Sequence, residues 1–162
     1  ELIAVTDKSS GESFIIPEET FVDESYSIMS IYPTENYLYY MKGRNSGVSI
    51  YRIKLSDMTR EEIIKSSDTA DKSILGLTFS WSDTENRFWA VRLFTDEKNI
   101  YLIDKNGMVF VLNPFAEKIT DCTCIIEESV LGGCIFDGKA IYYIDEDGVQ
   151  KMYNVVNKTF RI

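Results

Sequence analysis

The sequence contains no histidine. Triads that pair a Ser or Cys nucleophile with an imidazole base are thereby excluded. Cysteine is scarce too: the three residues Cys122, Cys124 and Cys134 fall short of the four ligands a structural zinc site requires. Cys122 and Cys124 stand two apart and on a strand share a face, where a disulfide between them would be strained. Free buried thiols are expected, with a pairing of Cys134 to one of the others as the alternative. Only three prolines occur, which argues against a disordered low-complexity chain. Lys and Arg number 17 against 26 Asp and Glu, for a net charge of -9. Nucleic acid is therefore a poor partner, because binding it needs clustered cations that release counterions. No apolar run approaches the roughly 18–20 residues that cross a bilayer, so membrane insertion is not expected. The chain opens on Glu1 without a recognisable leader, as a processed or excised segment would. No phosphate-binding loop of the form Gly-x-x-x-x-Gly-Lys-Ser/Thr occurs, nor any NAD or haem motif, and no cofactor is expected.

What the chain does have is aromatic residues, 13% of the total, mostly Tyr and Phe at strand-like positions. Its length of 162 residues suits one domain with a self-supporting core. Three passages repeat one another: NYLYYMKGRNSGVSIYRI from residue 36, NIYLIDKNGMVFVLN from 99 and AIYYIDEDGVQKMYNV from 140. Each is an apolar run, a polar turn ending in Gly, and a second apolar run. Gly107 and Gly148 are 41 residues apart, as are Ile100 and Ile141. A period of about 40–50 built from short strands is the mark of propeller blades. The turns DKNG and DEDG end in the Gly that tight hairpins favour. A further apolar run precedes each hairpin and another follows it, making four strands per unit.

In NIYLID and AIYYID neither alternate set of residues is polar, so both faces of the sheet should be covered. A lone sheet with one wet face would alternate instead. The expected fold is all-β: three four-stranded antiparallel propeller blades preceded by a half-blade hairpin, ELIAVTD and SFIIP around a polar turn. The half-blade is expected over about residues 1–20 and the blades over about 21–75, 76–128 and 129–162. A β-sandwich of the same hairpins is the alternative. Thr59 and Glu62 have capping-box spacing, but the β-branched pair in EEII favours a strand there over a short helix. Closed propellers usually need at least four blades. Three and a half blades therefore read as part of a larger propeller, completed by the same polypeptide or a partner chain.

Along residues 50–63, IYRIKLSDMTREEI resembles bacterial β-propellers related to the prolow-density lipoprotein receptor propeller. Their units have the form iYyid…giyrinldGsnrkki, matched here through Tyr51, Arg52, Ile53 and Leu55. The receptor propellers carry Tyr-Trp-Thr-Asp on the second strand. Tyr101-Leu102-Ile103-Asp104 and Tyr142-Tyr143-Ile144-Asp145 look like worn versions of it. The Trp and Thr are missing, Met41 stands where the other units have Asp, and Ser56-Asp57-Met58 lacks the usual Gly. The resemblance covers about two thirds of the chain and implies a fold, binding roles and an extracytoplasmic or cell-surface setting. It brings no active site with it.

Two groups of residues are candidates for function. Asp96, Glu97, Asp104, Asp137 and Asp145 lie near predicted strand ends, where paired carboxylates would serve a glycosidase or lyase. Acids in turns are also what a solvated sheet end looks like. Asp145-Glu146-Asp147-Gly148 fails the EF-hand calcium pattern, since Gly stands at the fourth position and Val149 at the fifth. The second group is Trp81 and Trp89 with Arg87, flanking SDTEN. Exposed aromatics near a loop stack on sugars or anchor protein interfaces, whereas core tryptophans do neither. The sequence reads as a non-catalytic binding or scaffolding module for a protein or glycan, with a carbohydrate-active enzyme as the alternative.

Overall fold

The computed structural model describes residues 3–6, 10–16, 27–44, 47–64, 92–104, 106–113, 123–130 and 133–162. Fourteen strands and no helix occur among them. β1 (Ile3–Thr6) and β2 (Ser13–Ile16) pair antiparallel as a two-stranded sheet. The first blade is β3 (Ser27–Pro33), β4 (Tyr37–Arg44), β5 (Gly47–Lys54) and β6 (Arg60–Ile64). The second is β7 (Arg92–Thr95), β8 (Ile100–Ile103), β9 (Val109–Leu112) and β10 (Thr123–Ile126). The third is β11 (Cys134–Phe136), β12 (Ala140–Ile144), β13 (Gln150–Asn154) and β14 (Thr159–Arg161). In each blade sequence neighbours are also sheet neighbours, and all pairings are antiparallel. The β-branched pair Ile63-Ile64 ends a strand, as expected, and not a helix.

Register makes the three units equivalent residue by residue. Pro33, Thr95 and Phe136 end the first strands opposite Leu38, Ile100 and Ile141. Counting onward, Tyr39, Tyr101 and Tyr142 share one position, and Met41, Ile103 and Ile144 another. Lys42, not Met41, thus occupies the place of Asp104 and Asp145. Pairing, which the eye cannot see in a string with unequal turns, corrects the alignment by one residue.

The sheets stack face against face. One core joins Tyr39, Met41, Ile50 and Ile64 of the first blade to Leu93, Ile100, Leu102 and Leu112 of the second. A second core joins Tyr101, Ile103, Val109 and Ile126 to Phe136, Ile141, Tyr143 and Tyr153 of the third blade. The middle blade therefore loses both faces to its neighbours, and all four residues of β8 are buried. Burying each such side chain contributes about 1.5–3 kcal/mol relative to exposure. That is why neither alternate set can be polar.

The first strands of the blades converge. Tyr32 of the first blade meets Phe94 of the second edge-on at 5.7 Å and reaches Phe136 of the third at 6.3 Å. Phe94 and Phe136 lie 5.9 Å apart, and the Leu93 amide donates to Ser30 Oγ at 3.0 Å. One residue touching blades one and two steps away requires strands radiating from a shared axis. A two-layer sandwich has no such point.

Candidate functional site

Successive antiparallel strands place the turns alternately at two ends of each blade. The turns after the first and third strands lie at one end, where the Val155 amide donates to Lys139 O. The turn after the second strand and the link to the next blade lie at the other, where the Val130 amide donates to Gly107 O. The predicted carboxylates divide between these ends.

At the first end, Asp96 Oδ1 accepts from the amides of Lys98 and Asn99, and Oδ2 accepts the Tyr101 hydroxyl at 3.0 Å. Asp137 repeats this with the amides of Lys139 and Ala140 and the Tyr142 hydroxyl at 3.1 Å. These bonds, the Lys139 and Ala140 amides foremost, hold the Asp137 carboxyl below the usual carboxylate range. Glu97 adopts φ 67° where the third blade has Gly138 at 89°. Its Oε1 is buried without a hydrogen-bond partner among the described residues.

At the opposite end, Asp104 is 1% exposed. Its Oδ1 accepts from the amides of Asn106 and Met108 at 2.9 and 2.8 Å. Asp145 accepts from those of Asp147 and Val149 at 3.0 and 2.8 Å. Gly107 and Gly148 close these turns at φ 85° and 80°, the left-handed region that favours glycine. In the second and third blades the Asp and the Gly thus shape the turn.

A cavity of about 420 Å³ lies between the second and third blades at this end, lined by Asn106, Glu127, Glu128, Asp145, Asp147 and Lys151 among others. Lys151 bridges it, with Nζ 2.6 Å from Glu128 Oε2 and 2.9 Å from Asp145 Oδ2. The Tyr143 hydroxyl donates to Glu128 Oε1. Lys151, helped by that hydroxyl, holds the Glu128 carboxyl below its ordinary value. Lys151 and the Val149 amide do the same for Asp145. A carboxylate whose folded pKa is depressed adds stability that is complete above its unfolded value and lost as pH falls through the folded one. Stability should therefore decline on acidification from about pH 5. Lys151→Met should flatten that acid limb, as measured by chemical denaturation at a series of pH values. An unchanged limb would show that the bridge does not couple to folding.

The third blade has one covered face and one open one. Ile141 and Tyr143 pack on the second blade, while Tyr142 and Ile144, the alternate set, are 44% and 37% exposed. Ile135, opposite Tyr142, is 69% exposed. A depression of about 540 Å³ opens there, bordered by Ile135, Tyr142, Ile144, Met152, Arg161 and Ile162 among others. This corrects the expectation that both faces of AIYYID are covered: the last unit is as apolar on both faces as the one before it, yet the face bearing Tyr142 and Ile144 is open.

Trp81, Trp89 and Arg87 lie outside the described residues, as does Cys122. Cys124 and Cys134 are free thiols, half-buried where buried ones were expected. Burial pushes the Cys134 thiol up to about 11, so at neutral pH it is a packing residue and not a nucleophile. No group of metal-ligating side chains occurs among the described residues, nor any helix long and apolar enough to cross a membrane.

No family model matches the sequence, and no curated protein matches it. Among solved structures the chain is similar to one of a nidogen/laminin complex, at 13% identity and a TM-score of 0.53. The likeness covers 99% of this chain and 54% of that one, so the chain spans about half the length of its structural neighbour. At this identity the likeness speaks to fold alone, and it supports an all-β arrangement of propeller blades.

Proposed function

We propose that the chain is a non-catalytic binding module of β-propeller type, whose ligand is a protein or a glycan and whose ring further blades complete. One observation carries the first part. Four of the five candidate acids are already engaged, for Asp96, Asp104, Asp137 and Asp145 each accept two turn amides; the fifth, Glu97, has a buried carboxylate oxygen and no second free carboxyl paired with it among these. A glycosidase needs one carboxyl free to protonate the leaving group and a second aimed at the sugar. Carboxylates serving as turn anchors at opposite sheet ends meet neither need. The structural neighbour's presence in a protein complex supports a protein as ligand. We propose Trp81 and Trp89, with Arg87 beside them, as the contact group.

The test is a panel of immobilised glycans and purified proteins, laminin among them, assayed for binding and for hydrolysis. Binding without turnover is expected, lost in Trp81→Ala or Trp89→Ala while the thermal midpoint stays put. Turnover abolished by Asp104→Asn or Asp145→Asn in chains that remain folded would replace this reading with the enzyme.

A further inference from the structure

We infer that Asn106 is a site of spontaneous covalent modification, restrained by its own turn, whose two products the fold treats differently. Asn106-Gly107 is the chain's one Asn-Gly pair, and it lies in the turn that joins β8 to β9. Glycine has no side chain to screen its nitrogen from the preceding carboxamide. In the reaction the Gly107 nitrogen attacks Asn106 Cγ. A carbon–nitrogen bond forms there, the bond from Cγ to Nδ2 breaks, and ammonia leaves carrying the Gly107 amide proton. Water then opens the cyclic imide. Cleavage at Cγ gives aspartate on an unchanged backbone. Cleavage at the main-chain carbonyl gives isoaspartate, which lengthens the backbone by one carbon. Water is the only co-reactant, and Asn106 is exposed to it.

The turn holds each reacting atom back. The Gly107 amide donates to Asp104 O at 3.0 Å, so freeing its nitrogen to attack costs that bond. Asn106 Nδ2, the leaving group, donates to Asp104 Oδ2 at 3.2 Å, and the Asn106 amide donates to Oδ1 at 2.9 Å. Asp104 is buried, and its charge opposes the anion that forms as the nitrogen attacks. Reaction therefore waits on opening of the turn.

The third blade shows which product fits. Asp147 stands where the second blade has Asn106, and its amide donates to Asp145 Oδ1 at 3.0 Å as the Asn106 amide does to Asp104. The Gly148 amide likewise donates to Asp145 O at 3.1 Å. An aspartate at this position is thus a residue the turn already accepts. Isoaspartate has no such precedent. Its extra carbon displaces Gly107, whose carbonyl accepts the Val130 amide at 3.0 Å, and Val130 belongs to the core between the second and third blades. Isoaspartate therefore loosens the junction of those blades. Aspartate only adds a carboxylate to the cavity bordered by Glu127, Glu128, Asp145 and Asp147.

The experiment ages the full chain in warm, mildly alkaline buffer, folded and in urea, and follows each asparagine by peptide mapping. In urea Asn106 is expected to convert ahead of every other asparagine, and in the folded chain at least about tenfold more slowly than in urea. Asp104→Ala should bring the folded rate close to the urea rate. The Asn106→Asp chain provides a check that needs no destabilised variant. Its thermal midpoint should match the parent within about 2 °C, while the isoaspartyl fraction separated from aged protein melts lower and exchanges its Val130 amide faster. Equal folded and urea rates in the parent would overturn the inference, as would another asparagine converting first in urea. A folded rate unmoved by Asp104→Ala would do the same by assigning the restraint elsewhere. So would an Asn106→Asp chain that melts as low as the isoaspartyl fraction.

Discussion

Tyr101→Ala should destabilise the chain by about 3–5 kcal/mol, whereas Tyr142→Ala should cost less than about 1 kcal/mol. The two tyrosines occupy one position in consecutive blades, and each donates its hydroxyl to the aspartate of its own first turn. Local chemistry is therefore matched. Tyr101 is 3% exposed and Tyr142 is 44% exposed, because the third blade covers one and no sheet among the described residues covers the other. Removing the Tyr101 ring opens a cavity against Phe136 that the stacked sheets cannot collapse to fill. Removing the Tyr142 ring exposes atoms already near water. Urea denaturation of the two variants beside the parent measures the difference directly. Equal losses would mean that blade stacking is not what stabilises the second strand.

Asp104→Ala should cost about 3–6 kcal/mol, since hydrogen bonds to a charged acceptor contribute about 1.5–3 kcal/mol each and two turn amides lose theirs. Both the Asn106 and the Met108 amides would need new partners in place of a side chain that is itself 1% exposed. Asp104→Asn keeps an acceptor oxygen and should recover a good part of the loss. That recovery is the informative comparison, because an acid acting through its charge or proton would not be rescued by an amide. Hydrogen exchange at the Met108 amide should rise in Ala and much less in Asn. A loss below about 1 kcal/mol in Asp104→Ala would show that the turn holds its shape without the side chain.

Much of this architecture was readable from the residues. The 41-residue step from Ile100 to Ile141 is set by how many residues a four-stranded blade consumes, and Gly107 and Gly148 mark where the chain must turn left-handed. Strands β8 and β12 were recognisable because unbroken apolar runs of that length have few other homes. The roles of the acids were harder to read. Asp104 in IYLID looks the same on paper whether it faces a substrate or its own turn, and only the position of the Asn106 and Met108 amides decides between them. Met41 looks like the counterpart of Asp104 in the string for a related reason: the first unit's longer turn hides the register that puts Lys42 there.

The sequence alone determined the class of element, the number of strands per unit and the need for cover on both faces, because hydrophobic periodicity and turn residues act over a few neighbours at a time. Which faces obtained that cover was decided only in three dimensions. IYLI and IYYI are nearly the same string, yet one is buried along its whole length and the other is wet on alternate residues. Burial is a property of what stacks against a strand, and the strand's own residues do not encode it.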